Sequence, residues 1–104
     1  MNAPTDRIDF AAVNAAALGA APTLLRRWLP DGHQRGDEWI AKNPKRADRH
    51  AGSFRVNMRS GKWSDFAMTG VGGGDLISLA AYLTDRSQID AARALAKALG
   101  INQR

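Results

Sequence analysis

Between Ser53 and Phe66 the spacing of apolar residues becomes strand-like. In "SFRVNM", Phe54, Val56 and Met58 alternate with Arg55 and Asn57, the period of two that a half-buried strand shows. Arg59-Ser60-Gly61 then forms a tight connection into "GKWSDFA", so the two runs read as a hairpin. If Phe54, Val56 and Met58 face inward, Arg55, Asn57 and Arg59 face outward. The sheet is then apolar on one side and basic on the other. "EWIAKN", upstream, supplies a third strand candidate.

On either side of this region the period is helical. Asp9 can cap a helix through Leu18, with Phe10, Val13, Ala17 and Leu18 on one face. Pro22 suits the first turn of a second helix bearing Leu24, Leu25, Trp28 and Leu29, which Pro30 stops. "PDGHQRGD" reads as a loop. Asp75 caps a third helix to about Leu83, carrying Leu76, Leu79, Ala80 and Leu83. Ser87 and Asp90 form a capping-box-like pair at the start of a fourth, with Ala92, Leu95, Ala96 and Leu99 inside. Gly100-Ile101 fits a Schellman end. Strands clustered between helix pairs predict an α+β fold. The sheet is expected to be small, three-stranded and antiparallel, packed with two N-terminal and two C-terminal helices.

With 104 residues, 44% of them hydrophobic, the chain suits one modest core. There are no cysteines, which removes disulfides, thiolate zinc sites and cysteine nucleophiles together. His33 and His50 lie too far apart to close a metal site by themselves and read as loop residues. No apolar run approaches the ~20 residues of a membrane span. "MNAPTDRIDF" lacks the basic-then-apolar order of a signal peptide. The expectation is a cytoplasmic protein with no membrane contact.

The net charge is +5, and it is concentrated. Lys42, Lys45, Arg46, Arg49, Arg55, Arg59 and Lys62 face only Asp48 in their window, which carries +6 and leaves −1 elsewhere. Such a patch is either a polyanion-binding face or a solvated basic surface. Trp39, Phe54, Trp63 and Phe66 lie on or beside these strands, and aromatics among cations can grip single-stranded nucleic acid. Phe54 shares the apolar face and reads as core. Trp63, between Lys62 and Ser64, can sit on either face and is a candidate for base stacking.

The run Gly70, Gly72, Gly73, Gly74 precedes a helix start, where free N–H groups bind anions. However, no Gly-Lys-Ser/Thr and no GxGxxG register follows, and Asp75 occupies the cap. The run therefore reads as a turn from strand to helix. The carboxylates are scattered. Asp65 and Asp75 could converge on a metal, yet their spacing does not require it. No catalytic constellation appears, so no enzyme, cofactor or metal is expected.

From about Asp37 to Ile101 the chain resembles the CHC2-type zinc-binding N-terminal domain of bacterial and phage DNA primases. "NPKR" stands where that family has its Cys-Pro-x-His pair. "GSFRVNMRSGKWSDF" is similar to its hairpin and aromatic strand, "GVGGGDLISLAAYL" to its glycine-aspartate-helix element, and "SQIDAARALAKALGI" to its last helix. At the four ligand positions this chain has Asn43, Arg46, Asp65 and Met68 or Thr69, a set that cannot form a tetrahedral thiolate-imidazole site.

The resemblance implies a zinc-free, zinc-ribbon-like relative, of the sort found in primase-helicase or Toprim proteins of phages and mobile elements. It implies an N-terminal helical segment (1–36) and a primase-like domain (37–104), together one compact unit. The glycine run would then be turn geometry inherited from a zinc knuckle. The N-terminal helices would supply the core that replaces the metal.

The expected function is a non-catalytic module binding nucleic acid, with single-stranded DNA favoured, in replication or priming. Its site would be Lys42, Lys45, Arg46, Arg49, Arg55, Arg59, Lys62 and Trp63. A helicase, polymerase or primase catalytic chain would be its protein partner. The alternative is a protein-interaction module that docks on, or inhibits, a replication or other nucleic-acid-binding protein.

Overall fold

Side-chain caps set the helix starts. In the computed structural model, which describes residues 8–46 and 52–101, the Asp9 carboxylate accepts the Ala12 N–H at 3.0 Å and starts α1 (Phe10–Gly19). Proline in the first turn begins α2 (Ala21–Trp28). Asp75 caps α3 (Leu76–Thr84) through Ser78 N–H at 2.8 Å. The Ser87 hydroxyl caps α4 (Gln88–Leu99) through Asp90 N–H. That helix ends on Gly100 at φ 73°, with Ile101 N–H returning to the Ala96 carbonyl at 2.8 Å, the expected Schellman closure.

The sheet has five strands, not three. It is an antiparallel meander in the order β1 (His33–Arg35), β2 (Glu38–Ala41), β3 (Phe54–Asn57), β4 (Trp63–Asp65), β5 (Gly72–Gly73). The two strands beyond the expected three are its edges. Every residue of β1 is exposed, so its sequence carries no burial alternation. It exists because residues 36–37 turn the chain back onto β2. The other edge strand is made of glycine, for which sequence patterning has no side chain to read.

Register assigns the faces. Trp39 opposes Val56, Ala41 opposes Phe54, and Val56 opposes Trp63. Directly opposed residues share a face, so Trp39, Ala41, Phe54, Val56, Trp63 and Asp65 all point toward the helices. Each of these six is buried. All but Asp65 join Val13, Ala17, Leu25, Ile77, Leu79 and Leu95 in one core cluster. The N-terminal helices thus share their core with the sheet and the C-terminal helices.

The glycines lie on this architecture too. A Cβ on Gly73 would stand 2.4 Å from the Ser78 hydroxyl and 2.6 Å from the Trp63 indole nitrogen. Only glycine lets β5 pass this close beneath the tryptophan.

Candidate nucleic-acid interface

The outer face of the sheet carries Glu38, Ile40, Arg55, Asn57 and Ser64, by the same register. At its centre Arg55 donates from Nε to the Gly52 carbonyl at 2.9 Å and from Nη1 to Glu38 Oε1 at 3.4 Å. Its guanidinium lies 5.6 Å from the ring centroid of Phe66, within cation–π range. Phe66 is 71% exposed, because it follows β4 one step past the buried Asp65. Arg55, Asn57, Lys62, Ser64 and Phe66, with Glu38 at one side, line an open depression of about 380 Å³.

The basic residues do not form one patch. Arg55 lies on the sheet face. Lys62 is exposed beside it at the end of the hairpin connection and has no ion pair among the described residues. Arg59 occupies the turn, 3.8 Å from Asp37. Lys42 follows β2 and lines a separate hollow with Trp28, Pro30 and Asn43. Lys45 and Arg46 are engaged elsewhere: Lys45 pairs with Asp85 and donates to the Tyr82 carbonyl, and Arg46 pairs with Asp65. Arg49 and His50 lie outside the described residues. The expected basic face is therefore a mixed one, with Glu38 balancing Arg55.

Trp63 also lines this depression, but its side chain is buried. It is 6% exposed, its indole N–H donates to the Ser78 hydroxyl at 2.9 Å, and its ring lies 5.1 Å from Tyr82 and 5.8 Å from Phe54. Opposition to Val56 puts it in the core. Phe66 is the exposed aromatic ring that sequence reasoning passed over. The signal that could have found it is parity: once Trp63 shares the face of Val56, Phe66 is three steps on and points outward.

Behind the sheet, two four-residue turns meet. In the first, Lys45 N–H donates to Asn43 Oδ1 at 2.8 Å and Arg46 N–H to the Asn43 carbonyl at 3.0 Å. In the second, Ala67 N–H donates to Asp65 Oδ1 at 2.9 Å and Met68 N–H to the Asp65 carbonyl at 3.0 Å. Across them Asn43 Nδ2 and Arg46 Nη1 both reach Asp65 Oδ2 at 2.9 Å. Burial alone pushes the Asp65 carboxyl up. The hydrogen bonds from Asn43 and Ala67 and the Arg46 charge outweigh it and hold the carboxyl below the ordinary value.

Comparison with models of known protein families and with curated protein sequences gives no match. Among solved structures, the fold is similar to that of the zinc-binding and RNA polymerase domains of the Aquifex aeolicus primase. The TM-score is 0.71 at 23% identity, over 100% of this chain and 23% of that one. The chain thus spans about a quarter of that structure's length and shares its fold over residues that include both N-terminal helices.

The zinc named for that structure does not suit the residues present here. Asn43 and Arg46 offer an amide and a guanidinium, which never deprotonates, and Asp65 already accepts from Asn43, Arg46 and the Ala67 N–H. Among the described residues no group of three or more His, Asp or Glu could hold a metal ion. No helix among them is long and apolar enough to cross a membrane.

Proposed function

We propose that this chain is a non-catalytic nucleic-acid-binding module that prefers single-stranded DNA and serves replication or priming in a phage or mobile element. The observation that carries this reading is the outer sheet face. There an exposed Phe66 ring lies beside the Arg55 guanidinium, with Lys62, Asn57 and Ser64 around one open depression. A base stacks on such a ring without regard to sequence, while phosphates meet the neighbouring cations. Arg55 and Lys62 form the centre of the site, Arg59 its margin, and Phe66 takes the stacking role expected of Trp63. The fold shared with a primase supports the replication setting. A helicase, polymerase or primase chain would provide the catalysis.

Fluorescence anisotropy of a labelled single-stranded oligonucleotide tests this. Phe66→Ala is expected to weaken binding by about 1–3 kcal/mol. Lys62→Ala should lower the slope of log affinity against log salt by about one phosphate contact. Equal affinity of wild type and Phe66→Ala, or tighter binding to duplex than to single strand, would count against the reading.

A second reading is favoured by an apolar groove of about 210 Å³ between α2, α3 and α4, lined by Leu24, Trp28, Ala80, Ala91 and Leu95 with Arg27 and Arg86 at its rim. Among the described residues its charged liners, Arg27 and Arg86, are both basic, so it suits a protein segment that presents a bulky apolar side chain flanked by carboxylates.

A further inference from the structure

The two turns behind the sheet carry the same hydrogen bonds. In each, the N–H two residues on donates to the first residue's side-chain oxygen, and the N–H three residues on donates to its carbonyl. The first residues are Asn43 and Asp65, and both are buried: Asn43 is 1% exposed and Asp65 3%. Two loops that present paired side chains to one buried point are the arrangement a tetrahedral metal site needs. Here the point between them is filled by protein. Asp65 Oδ2 receives both Asn43 Nδ2 and Arg46 Nη1 at 2.9 Å. Asn43 Nδ2 also reaches the Tyr82 hydroxyl on α3 at 2.8 Å. Arg46 Nη2 donates to the Ser53 hydroxyl at 2.9 Å, at the start of β3. The network therefore joins the loop after β2, the turn after β4, the start of β3 and α3.

We infer that the Asn43–Arg46–Asp65–Tyr82 network is a metal-free clasp that does the structural work a zinc ion does in a ribbon of this shape. Asp65 supplies the central charge, Arg46 neutralises it, and Asn43 and Tyr82 tie it to α3. The likeness to the primase structure extends over the whole of this chain, the N-terminal helices included. The inference goes beyond the proposed binding function, and its test reads stability and metal binding without any nucleic acid.

The test has three arms on the purified full chain. Thermal unfolding of wild type should be the same with and without a strong chelator, and the protein should carry no stoichiometric zinc by elemental analysis. A Tm lowered by chelator, or one zinc per chain, would overturn the inference. Asp65→Asn keeps shape but removes the charge that Arg46 needs. It should lower Tm by more than about 10 °C for a domain of this size, and an unchanged Tm would overturn it.

The third arm remains informative if Asp65→Asn fails to fold. The combined change Asn43→Cys, Arg46→His, Asp65→Cys, Met68→Cys should convert the clasp into a metal site. Cobalt titration is then expected to give one equivalent bound, with a thiolate-to-cobalt charge-transfer band, and a Tm that rises with added zinc. Absence of cobalt binding would show that the two turns do not converge as described.

Discussion

Asp65 holds its carboxylate among three donors in a place where burial by itself favours the neutral acid. The donors win, so the native pKa lies below the unfolded one. A depressed pKa means the unfolded chain binds the extra proton. The stabilisation is then fully present above the unfolded aspartate value of ~4 and is lost as pH falls through the lower native value. Urea unfolding of wild type and Asp65→Asn should show a stability gap that is constant from about pH 7 to about pH 5 and closes below about pH 4. A gap that stays constant into acid would mean the carboxylate is not held ionised.

Asp65 was not legible as a structural centre from sequence. Read against a zinc ribbon, Asn43, Arg46 and Asp65 look only like lost ligands, and their mutual contacts cross the sheet. Trp63 is a similar case. Its neighbours Lys62 and Ser64 are both polar, and only the register against Val56 decides its face.

At the scale of elements, what sequence revealed best was whatever carried its own signal. Three helices announce their caps in Asp9, Asp75, Ser87 and Gly100, the second announces its first turn in Pro22, and the hairpin announces itself by alternation. The edge strands do neither, since one is wholly exposed and the other is Gly72–Gly73. The glycines of β5 are explained by packing against Trp63 and not by any ligand. Gly73→Ala should therefore destabilise by about 1–3 kcal/mol through overpacking against Trp63 and Ser78, as measured by urea unfolding. Asp75→Ala should cost about 1 kcal/mol by removing the α3 cap. If Gly73→Ala is neutral, the close approach of β5 to β4 is wrong.

For the molecule as a whole, one core unites the helices and the inner sheet face, and the outer face lies outside it. Val13, Ala17 and Leu25 belong to that core, and Asn14 Oδ1 accepts the Ile77 N–H at 3.2 Å at the start of α3. A chain of residues 36–104 alone should lose its cooperative unfolding transition by circular dichroism, and a sharp two-state melt would contradict that packing.

The same division places the binding reading on one side of the sheet only. NMR titration of the uniformly labelled protein with a short single-stranded oligonucleotide tests it residue by residue. The account predicts salt-sensitive amide shifts confined to Arg55, Asn57, the turn 58–62, Ser64 and Phe66, with α2 and α4 silent. Shifts gathered instead on the groove between α2, α3 and α4, or none at low salt, would contradict it.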